Sequence, residues 1–336
     1  MTPDFASCIR EIGRGAHGAR SLERGAARAL MAAMLDGEVP DLELGAILIA
    51  MRVKGESLDE TLGFLEALAE RVLPLDAPLE RPRPVVLPSY NGARRGANLT
   101  PLLALMLARY GVPVLVHGLD GAGVGDDGDD DEPGEAQASF GRVTSAAILG
   151  ELGIPPSPSL AEADARLARA QVAYVATSAL SPGLARLLAT RARVGLRSSA
   201  HTLAKLIDPF GGTAVRVVSV SHPDYLVRMR EVLAATRADA MLLRGTEGEP
   251  YANPKRCPRL EMIRHGAAWR MVEAEEGTLA ALPALPLTND VAATARWIAE
   301  TLSGAHAVPA PIVQQLALLL EAAHAPLDVP AEAGAR

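Results

Sequence analysis

The sequence predicts an α/β fold in which a small helical domain accompanies a large, mostly parallel β-sheet that helices cover on both faces. Residues 1–75 carry apolar side chains at helical spacing, and no strand candidate occurs before residue 84. Beyond residue 84, short apolar runs rich in β-branched residues alternate with helical stretches. Such alternation is typical of parallel strands that are joined by helices.

The predicted helical domain, residues 1–75, contains three amphipathic helices. The first repeats apolar residues over 22–34, with Ser21 as its N-cap and Gly37 as its stop. A second helix follows, and the third begins at residues 57–60, whose Ser-Leu-Asp-Glu sequence is a capping box. We therefore expect an all-helical start to the fold.

The predicted α/β domain spans residues 84–325, although helices between residues 144 and 205 are candidates to join the helical domain. Five strand candidates are separated by helices, and a hairpin-like pair follows them. The strand candidates are residues 85–87, 112–117, 172–176, 215–220 and 240–243, and the hairpin-like pair is 260–263 with 268–272.

The bulk composition favours a cytoplasmic protein without a membrane partner. Apolar residues make up 49% of the chain, which suffices for a large core, but no apolar run is long enough to span a bilayer. The N-terminus lacks a signal-peptide pattern, and two cysteines, Cys8 and Cys257, fit a reducing compartment. A net charge of −7 argues mildly against nucleic-acid binding, so the distribution of charge matters more than its sum.

Two segments have opposite charge. Between residues 118 and 141 there are eight acidic residues and no lysine or arginine, whereas residues 165–207 contain seven basic residues and no acid. The acidic part, residues 119–137, is rich in glycine and lacks an apolar anchor, so we expect a disordered loop. Because its spacing lacks the glutamate of a calcium loop, we predict no metal site there.

The segment PSYNGARRGANLTPLLA, residues 88–104, is a candidate anion-binding loop. It follows a predicted strand, contains Gly92 and Gly96, and opens a helix, so its N–H groups and the helix N-terminus favour an anion. The alternative is structural: Asn91-Gly92 makes a turn and Asn98 caps the helix. The candidate phosphate-binding residues are Asn91, Gly92, Arg94, Arg95, Asn98 and Thr100.

Residues 184–206 are a second candidate, a basic surface for nucleic acid. On one continuous helix, four of the cations would lie roughly on one side and follow a sugar–phosphate backbone, although Gly195 is predicted to interrupt the helix. The alternatives are a solvated helix face, a dimer interface, or ion pairs with distant carboxylates. The candidate residues are Arg186, Arg191, Arg193, Arg197, His201 and Lys205.

Several segments resemble the anthranilate phosphoribosyltransferase family. Residues 29–68 resemble its N-terminal helices, which include an Arg-x-Lys-Gly-Glu segment, and residues 195–210 are similar to its Gly-x-Arg-Thr-x-Phe-Asn-x-Leu-Gly-Pro segment. More narrowly, segments such as IREIGRGAHGARSLER, SVSHPDY and GTEGEPYANPKRCP resemble the YbiB-type branch. The resemblance implies the phosphoribosyltransferase-like fold of the nucleoside phosphorylase and anthranilate phosphoribosyltransferase group. It also implies a homodimer formed through helices, and nucleic-acid binding with little sequence preference.

The catalytic motifs of that family are altered in this chain. Its enzymes hold phosphoribosyl pyrophosphate with a Gly-Thr-Gly-Gly-Asp loop, whereas residues 88–93 read Pro-Ser-Tyr-Asn-Gly-Ala. Pro88 removes one backbone donor from this loop. The family's Lys-His-Gly-Asn-Arg segment is matched by Val-His-Gly-Leu-Asp at residues 116–120, which loses two cations and gains an acid.

Two carboxyl groups, Glu247 and Glu249, remain where the family's magnesium-binding Asp-Glu pair is replaced. They either hold Mg²⁺ in a working transferase, or are solvated charges and partners of Lys255 and Arg256. We predict the second arrangement, with no cofactor and no resident metal. The predicted function is non-catalytic, low-specificity binding of DNA or RNA, single- or double-stranded, by a homodimer. The alternative is a phosphoribosyl or glycosyl transferase that uses an activated ribose and magnesium on an unidentified acceptor.

Overall fold

The computed structural model describes five stretches of the chain: residues 3–15, 17–119, 142–277, 282–286 and 288–325. From residue 120 onward, the predicted disordered loop lies outside the described residues. Within the described stretches, no helix combines the length and the apolar character that crossing a bilayer requires.

Four helices precede the first strand in the described residues, one more than predicted. They are α1 Phe5–Ile12, α2 Arg24–Asp36, α3 Asp41–Lys54 and α4 Leu58–Ala69. The missed helix is α1, which has 8 residues. Because this length gives only about two turns, its apolar pattern is too short to recognise with a helical period.

The ends of these helices test the predicted N-cap and C-cap residues. Gly37 ends α2 in the left-handed conformation with φ of 78°, as predicted. The predicted capping box is confirmed: the Glu60 N–H donates to the Ser57 hydroxyl at 3.2 Å, and the Ser57 N–H donates to the Glu60 carboxylate at 2.8 Å. The prediction of Ser21 as the N-cap of α2 was wrong, because the residue before this helix is Glu23.

Seven strands form one sheet: β1 Val85–Ser89, β2 Val114–Gly118, β3 Val172–Ala176, β4 Val215–Val220, β5 Ala240–Arg244, β6 Leu260–Arg264 and β7 Ala267–Val272. They lie in the order β3-β2-β1-β4-β5-β6-β7. Strands β1 to β5 are parallel, and β6 and β7 extend the sheet as an antiparallel hairpin. Both the mostly parallel sheet and the hairpin-like pair are thereby confirmed.

Ten further helices occur in the described residues after β1. They are α5 Thr100–Arg109, α6 Ser145–Glu151, α7 Leu160–Ala168, α8 Thr177–Leu180, α9 Pro182–Ala189, α10 Arg191–Val194, α11 Ser199–Ala204, α12 Pro223–Ala235, α13 Val291–Leu302 and α14 Ala310–His324.

Neighbouring side chains of β1 belong to two different cores, because successive side chains of a strand point to opposite faces. Val85 and Leu87 pack in the core that contains residues of α5, α6, α13 and α14. Val86 packs in the core that contains residues of α1 to α4 together with α9 and α11. The helical domain therefore packs directly on one face of the sheet, and α9 and α11 share its core.

Helix α9 approaches α2 most closely at Gly183. A Cβ atom at this position would lie 2.1 Å from the Leu35 carbonyl oxygen. One turn later, Arg186 donates a hydrogen bond to the same carbonyl at 2.7 Å. Glycine is required at residue 183 because any side chain would collide with the backbone of α2. This contact places the start of the basic segment beside the C-terminal end of α2.

Replacing Gly183 with alanine should lower the free energy of unfolding by about 1–3 kcal/mol, because the added methyl group would push α9 away from α2. Gly25 in α2 provides a matched control, since nothing lies within 4 Å of its Cβ position. Gly25→Ala should be neutral or should stabilise the helix by up to about 1 kcal/mol. Urea unfolding followed by circular dichroism measures both values, and an unchanged midpoint for Gly183→Ala would contradict this packing.

Candidate functional site

The predicted site residues meet at the carboxyl ends of the parallel strands. The loop after β1, residues 90–98, lies next to the segment that follows β5, residues 245–249. Strand β1 lies between β2 and β4, so the order of the strands reverses between β1 and β4. In open α/β sheets, such a reversal creates a crevice in which ligands bind.

The loop after β1 encloses a carboxyl group of this chain. The N–H groups of Asn91 and Gly92 each donate to Glu249 Oε1 at 2.8 Å, and the hydroxyl groups of Ser89 and Thr100 donate to its Oε2. The Glu249 side chain is fully buried. This burial raises the pKa of the carboxyl group, and the hydrogen bonds from the loop partly offset the rise. The loop's donors are therefore engaged from within the protein.

A second glutamate accepts two further N–H groups of the same loop. The Glu247 carboxylate accepts hydrogen bonds from the N–H groups of Arg94 at 2.8 Å and Arg95 at 3.1 Å. Glu247 and Gly248 have φ angles of 51° and 80°, which make a left-handed turn. A Cβ at residue 248 would lie 1.9 Å from Asn91 Nδ2. Glycine at this position therefore allows the turn to seat both glutamates against the loop.

These contacts correct one interpretation of Glu247 and Glu249. The prediction that they are solvated charges or partners of Lys255 and Arg256 was wrong, because Glu249 is buried and both side chains accept hydrogen bonds from the loop after β1. Local sequence offers no signal for this pairing. Glu249 is 158 residues from its partner Asn91, so only the order of the strands brings them together.

The structural alternative for the loop is present in part. Gly92 has a φ of 63°, as its turn requires. The buried Asn98 side chain accepts a hydrogen bond from the Thr100 N–H at 3.1 Å. The residue before α5 is Leu99, however, so the prediction of Asn98 as the helix cap was wrong. Phosphate binding by this loop stays a prediction. It now requires that Glu247 and Glu249 give up their hydrogen bonds to the loop.

The two glutamates do not fit the magnesium ion that the family resemblance implies. Magnesium demands near-octahedral geometry and is usually held by one or two carboxylates together with waters. Both carboxyl oxygens of Glu247 and of Glu249 already accept hydrogen bonds from N–H or hydroxyl groups. Within the described part of the chain, no group of three or more acidic, histidine or cysteine side chains could hold a metal. The hydrogen bonds of the two carboxyl groups organise the loop.

A neutral pair lies beside the loop. The Tyr90 hydroxyl is 2.6 Å from His117 Nδ1, and the two rings meet edge to face. His117 is fully buried, and burial lowers the pKa of its imidazole to about 3, so it is neutral at physiological pH. Burial also raises the pKa of the Tyr90 phenol. The pair therefore adds no positive charge beside the loop.

The basic segment 184–206 forms three short helices instead of one. Gly195 ends α10 with a φ of 78°, which confirms the predicted interruption and prevents a single cationic helix face. Arg193, in α10, forms an ion pair with Asp41 at 3.0 Å, and 76% of each side chain is exposed. An ion pair this exposed contributes little to stability, so Arg193 can exchange its partner at low cost.

Three of the candidate residues in the basic segment, Arg197, His201 and Lys205, line a cavity of about 90 Å³ beside the loop after β1. Arg197 donates a hydrogen bond to Asn91 Oδ1 in this loop at 3.1 Å. Arg52, from α3, lines the same cavity. Arg52 was not predicted as a site residue, although it belongs to the Arg-x-Lys-Gly-Glu segment in which the chain resembles the family.

This cavity concentrates positive charge where solvation is poor. Burial, and then the charge of Arg197, lowers the pKa of Lys205 to about 8, while Glu249 acts in the opposite direction. Burial, and then the charges of Arg197 and Arg191, lowers the pKa of His201 to about 3. His201 therefore offers a hydrogen bond instead of a charge at physiological pH. Both lowered pKa values show that burial and the neighbouring arginines make a further positive charge in this cavity unfavourable unless an anion compensates it.

Comparison with known proteins gives consistent sequence matches. The family described as "Glycosyl transferase family, helical bundle domain" matches residues 6–72. Protein YbiB of Escherichia coli (strain K12) is 44% identical over 320 residues, which cover 95% of this chain and 94% of that protein. The anthranilate phosphoribosyltransferase of Clavibacter michiganensis subsp. michiganensis is 29% identical over 250 residues, which cover 73% of this chain and 64% of that enzyme.

A solved structure supports the same fold. The anthranilate phosphoribosyltransferase of Thermus thermophilus superposes with a TM-score of 0.66 at 22% identity, over 94% of this chain and 88% of that one. At this identity the superposition establishes the fold alone. It confirms the expected combination of a helical domain with a large, mostly parallel sheet.

Replacing Glu249 with alanine should lower the free energy of unfolding by about 2–4 kcal/mol, because the N–H groups of Asn91 and Gly92 would lose their buried acceptor. Glu249→Gln should cost less, since its amide oxygen still accepts a hydrogen bond. The exposed Glu231 of α12 is a matched control, and its replacement with alanine should change stability by less than about 0.5 kcal/mol. Equal losses at residues 249 and 231 in urea unfolding would contradict the described contacts.

Proposed function

Because this chain belongs to the anthranilate phosphoribosyltransferase-like family and to its YbiB-type branch, we propose that it uses the fold for non-catalytic, low-specificity binding of nucleic acid as a homodimer. The proposal concerns the phosphate backbone of DNA or RNA, single- or double-stranded. Its support comes from the placement of cations around α3 and from the internal contacts of the loop after β1.

The observation that carries the proposal is that cations lie at both ends of α3, and these two groups are here called the cationic track. At the start of this helix, Asp41 contacts Arg193, and near its end, Arg52 lines the cavity together with Arg197 and Lys205. Between Asp41 and Arg52 the helix rises by about 17 Å. The two groups are therefore far enough apart to contact different phosphates of one strand, which are spaced by about 3.4 Å along the axis of B-form DNA.

The contacts of Glu247 and Glu249 support a non-catalytic role. A diphosphate in the loop after β1 would have to displace two acidic groups, one of them fully buried, from N–H donors. Displacing Glu249 would leave a buried acidic group without partners, which costs several kcal/mol unless it is protonated. The loop is therefore poorly suited to an activated ribose.

Low specificity follows from the kinds of side chain available. Aromatic residues make up only 3% of the chain, so stacking on bases can contribute little. Arginine and lysine contacts to phosphates do not distinguish sequences, and they release counterions when they form. Binding of this type weakens steeply as the salt concentration rises.

An exposed apolar stripe on α3 supports a second copy of this chain as the dimer partner. Leu42, Ile49 and Val53 are 83%, 37% and 71% exposed, and their spacing of 7 and 4 residues places them on one helix face. An apolar stripe on a soluble surface is typical of an interface. A dimer formed here would bring two cationic tracks together, because each track also follows α3.

The affinity for a single-stranded oligonucleotide should fall by about tenfold or more between about 50 and 200 mM salt. Arg193→Gln should reduce the slope of log affinity against log salt by about 0.7, because one phosphate contact is lost. The control is Arg169→Gln, which should leave the slope unchanged. Arg169 is exposed and follows α7, three residues before the amino end of β3. It therefore lies at the amino ends of the parallel strands, whereas the candidate site lies at their carboxyl ends. Fluorescence anisotropy across a salt series measures both slopes.

Family membership favours one alternative, a transferase that uses an activated ribose and magnesium. Calorimetric titration of phosphoribosyl pyrophosphate with Mg²⁺ tests it directly. We expect no Mg²⁺-dependent heat of binding for the wild-type protein, because Glu247 and Glu249 fill the loop after β1. Saturable, Mg²⁺-dependent binding of this compound without any binding of oligonucleotides would replace the proposed function with the alternative.

The wild-type protein should sediment as a dimer, and Leu42→Asp with Val53→Asp should convert it to a monomer, because two buried charges would destabilise an apolar interface. Val227 on α12 provides a matched control: it is 55% exposed, and Val227→Asp should leave the dimer intact. Sedimentation velocity measures the state of each variant. A monomeric wild-type protein, or a double variant that remains dimeric, would contradict this interface.

A further inference from the structure

The cavity beside the loop after β1 collects cations from three separate parts of the chain. Arg52 comes from α3, Arg197 from the connection before α11, and Lys205 from the end of α11. The described residues that line this cavity include no acid. Three positive side chains that converge without a lining carboxylate favour an anion as the ligand.

Hydrogen-bond donors accompany these charges. The hydroxyl groups of Ser198, Thr202, Ser221 and Tyr225 also belong to lining residues. Lys205 is held in place because its Nζ donates to the Ser219 carbonyl at 2.8 Å. Charged and neutral donors around one cavity are the arrangement that binds a tetrahedral oxyanion.

The cavity is large enough for a phosphate group. Its volume of about 90 Å³ is several times the roughly 10–15 Å³ that one water needs. Size alone does not distinguish a chain end from the middle of a strand, so the charge of the ligand must do so.

We propose that this cavity binds one phosphomonoester group, supplied by the terminal phosphate of a nucleic-acid strand. The nucleic-acid source rests on the proposed function, while the phosphate chemistry rests on the cavity alone. A terminal phosphomonoester carries close to two negative charges at neutral pH, and an internal phosphodiester carries one. Three converging cations therefore favour the end of a strand over its interior. The strand then continues from Arg197 along the cationic track toward Arg193.

The test compares one single-stranded oligonucleotide in three forms: with a 5′-phosphate, with a 3′-phosphate, and with hydroxyl groups at both ends. At constant salt, at least one phosphorylated form should bind the wild-type protein about tenfold more tightly than the hydroxyl form. Arg52→Met and Lys205→Met should each weaken binding of the phosphorylated form more than binding of the hydroxyl form, and should thereby remove most of this preference. The control Arg169→Met should keep the preference.

Equal binding of all three forms by the wild-type protein would overturn the inference and leave the proposed function intact. This comparison needs no variant, so a variant that fails to fold does not prevent a decision. If no form binds, the proposed function fails, and inorganic phosphate becomes the probe. A rise in melting temperature with phosphate that Lys205→Met abolishes would then support the cavity with a free phosphate as its source. No rise would overturn the cavity as well.

Discussion

The hydrogen bonds between the Glu249 carboxyl group and the loop after β1 are the interaction on which the candidate site depends. They join the segments that follow β1 and β5, two strands separated in the sheet by β4. Two residues earlier in the chain, Glu247 accepts a hydrogen bond from the Arg94 N–H of the same loop. Because these acceptors come from the protein itself, the N–H groups of the loop need no ligand. The loop is consequently ordered by the fold, and the cations of the neighbouring cavity are the groups that we propose for binding an outside anion.

The packing of the helical domain on the sheet explains how those cations reach one place. Alternate side chains of β1 face two cores, and the core that holds Val86 also holds residues of α1 to α4, α9 and α11. Arg52 in α3 and Lys205 after α11 are distant in sequence, yet they belong to helices that share this core. The contact between Gly183 and Leu35 sets the approach of α9 to α2. The packing of these helices therefore determines which cations meet at the site.

The fold was predictable from local patterns, because its strands are runs of β-branched residues and its helices begin and end at clear signals such as Ser57 and Gly37. The presence of N–H donors in the loop after β1 was also predictable, since glycines before a helix leave N–H groups available. The identity of its acceptor was not, because Glu249 lies far along the chain. Arg52 was missed for the same reason. Its place in the cavity depends on which helices pack together, and hydrophobic periodicity does not encode that packing.

The left-handed turn at Gly248 has a consequence for redesign. A glycine-rich sequence at residues 88–93 would loosen the backbone there, yet the turn would still project Glu247 and Glu249 into it. A variant built to hold a diphosphate in this loop would need changes in two segments at once, whose members Asn91 and Glu249 are 158 residues apart. Either change alone would lose existing hydrogen bonds. The turn and the loop therefore constrain each other's sequence across the sheet.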